Sequence, residues 1–121
     1  MLVPGIALAT LVAFVLGGAY YALVPVGPGP AAPSRTPLAT VAVELVRCAA
    51  VAALVAGLLG AAGIADPLDG AVLGLSLWVL PAVLLAGAAF HEGTPVRRAL
   101  LHAGDWLLKL VAIGAVLGAL L

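Results

Sequence analysis

Charge is what this sequence has least of. Of 121 residues only 8% are charged, five Lys and Arg against five Asp and Glu, while 65% are hydrophobic. A water-soluble domain carries about 25% charged residues and about 45–50% apolar ones, glycine included. A soluble enzyme and a nucleic-acid-binding domain are therefore excluded. Net charge is zero, so no polybasic patch exists for lipid headgroups or nucleic acid. The single cysteine, Cys48, excludes an intramolecular disulfide and a CxxC redox pair, and its apolar surroundings in the chain make it a small buried hydrophobe. The two histidines, His91 and His102, are not paired at ligand spacing, so neither a metal nor another cofactor is expected.

What is present in abundance is long apolar runs. A transmembrane helix consumes about 20 residues, so four spans fit the length with room for short connections, whereas five leave almost none. The expected fold is all-α: a polytopic integral membrane protein built as a bundle of four transmembrane helices, with the lipid bilayer as its surroundings. The spans fall at 5–26, 40–64, 70–90 and 98–121. No Lys or Arg precedes the first, which reads as a retained helix rather than a signal peptide. Between the first two lies VGPGPAAPSRTP, a loop over 27–37 in which Pro28, Pro30, Pro33 and Pro37 oppose a continuing helix. The second and third spans are joined by the tight turn ADPLDG.

Orientation follows from three arginines. Arg35 falls in the first loop, Arg97 and Arg98 in the third, and the loop holding Asp66 and Asp69 has no basic residue. The positive-inside bias puts the first and third loops in the cytoplasm and both termini outside. Tyr20 and Tyr21 then sit near the inner end of the first span, as interfacial aromatics do. His91 and Glu92 read as solvated loop residues.

The remaining charges fall within the spans. With Leu121 taken as the outer boundary, Asp105 lies about one turn inside the hydrocarbon and Lys109 about one turn deeper. Each costs about 2.5–3.5 kcal/mol near a helix centre, against about 0.3–0.6 returned by each Leu, Ile or Val, so the last helix inserts marginally unless neighbours satisfy them. Asp105 and Lys109 are spaced i, i+4 with the acid first, His102 lies three residues before Asp105, and Glu44 and Arg47 are spaced i, i+3 in the second span. The second and last spans run parallel, which brings Arg47 and Asp105 to similar depth. An inner-leaflet cluster of Glu44, Arg47, His102, Asp105 and Lys109 is the expected site. It reads as a structural ion pair that fixes helix register, or as a relay or polar substrate site; Glu44 and Arg47 can instead snorkel to the interface.

Small residues recur at helix-packing intervals: Gly5, Ala9, Ala13 and Gly17 in the first span, Gly70 and Gly74 in one GAVLG, Gly114 and Gly118 in a second GAVLG. These stripes let backbones approach where lipid supplies no hydrophobic drive. They predict a compact bundle, extended by self-association. Trp78 and Pro81 place an aromatic and a kink within the third span.

Three segments, LVAFVLGGAYY, DGAVLGLSLWV and FHEGTPVRRALLHAGDWLLKLVAIGAVLGAL, resemble the domain of unknown function 1761 family of small four-helix bacterial membrane proteins. The resemblance covers most of the chain outside the proline-rich loop and the start of the second span. It implies the four-helix membrane fold and brings no activity or catalytic set with it. In the family a Trp-Tyr pair follows the glycine of the first span, where this chain has Tyr20 and Tyr21, and polar asparagines late in the third span are replaced by Ala86 to Ala89.

The sequence offers no nucleophile with a matching base and no metal set, so it is not read as an enzyme. The expected function is a non-catalytic accessory or structural subunit of the bacterial cytoplasmic membrane, as a homo-oligomer or with a larger membrane partner. The alternative is a small transporter or channel protomer that uses Asp105, Lys109 and Arg47 in an ion or solute path.

Overall fold

The computed structural model of the chain describes residues 2–24 and 36–121, and these are helical almost throughout. Five helices follow one another: α1 (Leu2–Leu23), α2 (Pro37–Ala62), α3 (Pro67–Leu77), α4 (Val79–His91) and α5 (Val96–Leu120). Helices α3 and α4 form one stretch, interrupted at Trp78. Together with α1, α2 and α5 that stretch makes four helices long and apolar enough to cross a membrane.

The helix ends lie where local chemistry puts them, which differs by a few residues from the hydropathy reading. Proline at the first helical position costs nothing, because that N–H has no intrahelical partner. Pro37 therefore opens α2 instead of closing the loop, and Thr36 caps it by accepting from the Ala39 N–H at 3.2 Å. Pro67 opens α3 in the same way, under Asp66, whose Oδ2 accepts from the N–H groups of Leu68 (2.9 Å) and Asp69 (3.0 Å). Asp66 and Asp69 thus belong to a helix start. The rest of the expected proline-rich loop lies outside the described residues, and Arg35 with it. Helix α2 ends on Gly63, at φ 69°, with Gly63 N–H donating to Gly60 O and Ile64 N–H to Leu59 O. That pair of bonds closes the helix through a left-handed residue, a conformation glycine adopts without a Cβ penalty.

Trp78 keeps right-handed helical angles, and its N–H is shared between Gly74 O (3.1 Å) and Leu75 O (3.2 Å). Pro81 has no N–H to offer the carbonyl of Leu77, four residues earlier. The irregularity therefore appears one turn before the proline.

Helix α5 is the hub and packs against each of the other four. Ala9 and Ala13 of α1, Cys48, Ala52, Val55 and Leu59 of α2, and Ile113 and Leu117 of α5 are fully buried between them. Cys48 is thus an interior residue. Glycine governs the approach of α3 to α5: a Cβ on Gly70 would strike the Gly114 carbonyl, one on Gly74 the Leu110 carbonyl, and one on Gly118 the Asp66 carbonyl. The two helices run antiparallel with their backbones in contact. Gly5, Ala9, Ala13 and Gly17 are all buried, with Gly5 facing Leu117 and Gly17 facing Lys109. All eight small residues are thus used inside the chain, and association with a second copy would need another face. Helix α4 buries no residue, and no packing joins α2 to α4 among the described residues.

Candidate functional site

Helix periodicity decides which side chains meet. On α5, His102 stands three and four residues before Asp105 and Trp106, and Lys109 four and three residues after them, so the four line one side of the helix. On α2, Thr40, Glu44 and Arg47 form the corresponding stripe. These two stripes, together with Gly17 and Tyr21 of α1 and the Pro81–Leu85 segment of α4, surround a cleft of about 640 Å³.

Lys109 is the centre. It is 2% exposed, and its Nζ lies 2.7 Å from Glu44 Oε1 and 2.9 Å from Asp105 Oδ2. The ammonium also stands over the Trp106 ring, 4.8 Å from its centroid, which directs positive charge at the negative face of the indole. Of the three N–H donors of an ammonium, two are bonded to carboxylates. Space for its end is made by Gly17: a Cβ there would stand 2.6 Å from Lys109 Cε and 3.0 Å from Nζ.

Glu44 serves two cations, since its other oxygen accepts from Arg47 Nη1 at 3.1 Å. The Arg47 side chain is 52% exposed and lies over the same indole, with its guanidinium carbon 5.3 Å from the Trp106 centroid. Asp105 is 3% exposed, and its Oδ1 is buried with no hydrogen-bond partner among the described residues. A buried carboxylate oxygen left in this state is costly.

Of the five expected site residues, four form one connected network: Arg47, Glu44, Lys109 and Asp105 in that order. The link between helices is Glu44 to Lys109. Arg47 and Asp105, brought to similar depth by the sequence reading, each take a partner on their own helix. His102 stands apart from the ion pairs and shares a 2.6 Å hydrogen bond between its Nδ1 and Tyr21 Oη. One participant, Trp106, has no role in the sequence reading. Trp106 lies beside two cations on the stripe already picked out by His102 and Lys109, so its spacing carried the signal. Tyr21 and Tyr20, read as interfacial aromatics, both turn to α5, where the Tyr20 hydroxyl covers Gly104. Trp78 reaches α5 as well, donating from Nε1 to Ala103 O at 2.8 Å.

Beyond Trp106 and Pro81 the space between α2 and the third span continues as a smaller, wholly apolar groove of about 220 Å³, bordered by Val51, Val55, Leu77 and Leu80. No group of three or more His, Cys, Asp or Glu suited to a metal ion occurs among the described residues. Chemically the site is a balanced array of two acids and two bases, closed around Lys109 and open at Arg47.

Residues 4–118 match the model of the family described as Protein of unknown function (DUF1761), and the chain belongs to that family. No curated protein and no solved structure matches it.

Proposed function

We propose that this member of the DUF1761 family is an integral membrane protein with four crossings, acting as a non-catalytic accessory or structural subunit whose buried ion network fixes the register of its helices. Support for insertion comes from the four long apolar helices and from the leucine and valine side chains exposed along them, such as Leu54, Val83 and Leu84. Arg97 and Arg98 in the first turn of α5, with Arg35 between α1 and α2, favour a cytoplasmic side for both connections and put both termini across the membrane. The expected setting is the bacterial cytoplasmic membrane. A second copy or a larger membrane partner would meet the chain on its leucine and valine faces, the small-residue stripes being occupied.

One observation carries the structural reading. Lys109 Nζ is bonded to Glu44 and to Asp105 at once and stands over the Trp106 ring. A group in a conducting path must exchange partners, and a lysine clamped by two carboxylates ties α2 to α5 instead. Transport is the second reading, favoured by the cleft that reaches Asp105.

The two readings part in vesicles. A variant carrying Glu44→Gln, Asp105→Asn and Lys109→Met, reconstituted beside the unaltered protein, is expected to remain helical and to show the same proton and cation permeability. Unaltered protein that conducts, with a folded variant that does not, overturns the structural reading in favour of transport.

A further inference from the structure

The cleft at Arg47 and the apolar groove beyond Trp106 share two residues, Trp106 and Pro81, and both lie between α2 and the third span. Polar groups lie at one end and hydrocarbon at the other, which is the distribution of an amphiphile. The charge at the polar end is also divided. Glu44, Lys109 and Asp105 together carry one net negative charge in the interior, and Arg47 carries one positive charge at the exposed rim. Asp105 Oδ1 is a buried acceptor with no donor among the described residues. Arg47 uses Nη1 for Glu44, and a guanidinium has five N–H donors in all.

From these features we propose that the cleft binds one phospholipid with a zwitterionic, primary-ammonium head. Its phosphate would sit against the Arg47 guanidinium, its ammonium would donate to Asp105 Oδ1 once that carboxylate, buried as it stands, turns toward the cleft that Asp105 lines, and one acyl chain would lie in the groove between Val51, Val55, Leu77 and Leu80. This rests on the membrane reading above. A quaternary ammonium cannot satisfy Oδ1, because it has no N–H. A net anionic head adds a negative charge to a site whose own charges already cancel. A phosphate beside a guanidinium and an ammonium beside a carboxylate match both ends at once.

Trp106 borders both the head cleft and the groove and therefore reports on occupancy. The test uses the full chain carrying Trp78→Phe, which leaves Trp106 as the sole tryptophan, in phosphatidylcholine vesicles. A small fraction of the lipid has brominated acyl chains and an ethanolamine, choline or glycerol head. Brominated ethanolamine lipid is expected to quench Trp106 at about tenfold lower mole fraction than the other two, the ratio that one charge-assisted hydrogen bond supplies. Arg47→Gln keeps both carboxylates on Lys109 and is expected to fold, and Asp105→Asn changes the acceptor itself. Asp105→Asn should abolish the preference while general quenching persists, and Arg47→Gln, which loses the phosphate contact common to all three heads, should raise the mole fraction that each of them needs. Equal quenching of the Trp78→Phe protein by all three heads, or a preference that survives Asp105→Asn, overturns the proposal. Absence of quenching by every brominated lipid overturns the membrane reading beneath it.

Discussion

Gly70 and Gly114 face each other backbone to backbone, each placed so that a Cβ on one would run into the carbonyl of the other. The same pentapeptide, GAVLG, occurs at both places in the sequence, and the antiparallel crossing of α3 on α5 is built from the two copies. A carbonyl held in a helix cannot turn aside as a flexible side chain can, so space at this crossing is fixed.

Gly114→Ala is therefore expected to force α3 and α5 apart, at a cost of about 1–3 kcal/mol or more from overpacking. Gly18, one residue from the buried Gly17, is different: a methyl group there would have nothing within 4 Å. Gly18→Ala should be neutral or add up to about 1 kcal/mol through helix propensity. Unfolding of both variants in detergent by far-ultraviolet circular dichroism separates them, and equal stability would contradict the packing described.

Lys109→Met leaves Glu44 and Asp105 in the interior without their shared cation. Removing one partner of a buried ion pair costs about 3–5 kcal/mol because it leaves an uncompensated charge, whereas neutralising the whole set leaves none. The single variant is accordingly expected to unfold well before the one that also carries Glu44→Gln and Asp105→Asn. The opposite order in a denaturant titration would show that the lysine is dispensable.

Trp106 lies beside both Arg47 and Lys109. Trp106→Leu keeps an apolar side chain and removes the ring, so it should cost about 1–2 kcal/mol, the worth of a partly desolvated cation–π contact. Arg47→Gln, applied to that variant, should then cost less than it does in the unaltered protein. A thermal-melt comparison of the four proteins measures this.

Tyr21→Phe removes the hydroxyl shared with His102 while keeping the ring. Because His102 is exposed and outside the ion network, the loss should be about 0.5–1.5 kcal/mol, as for one ordinary hydrogen bond. A larger effect, reaching that of Lys109→Met, would place His102 in the network.

The long helices and the Asp105–Lys109 pair were legible because each rests on a local rule: apolar length in one case, i, i+4 spacing in the other. The bond between Lys109 and Glu44 was not, since it depends on how α2 and α5 lie together and no spacing within one helix encodes that. Gly17 was read as packing, which is true of the backbone, but the absence of its side chain also makes the room for Lys109 Cε. The interruption at Trp78 was displaced from Pro81 because the hydrogen bond that proline lacks belongs to Leu77, a turn earlier. Pro37 and Pro67 looked like loop residues and start helices, since Thr36 and Asp66 supply the capping oxygens.

The ion pair of Glu44 with Lys109 is the link of the network that joins α2 to α5. A double-mutant cycle of Glu44→Gln and Lys109→Met, with unfolding free energies taken in one detergent, measures that contact alone. The structure predicts a coupling of about 1–3 kcal/mol, the two losses together being smaller than their sum, as for groups in one ion network. Losses that add to within about 0.3–0.5 kcal/mol, the behaviour of independent sites, would contradict it.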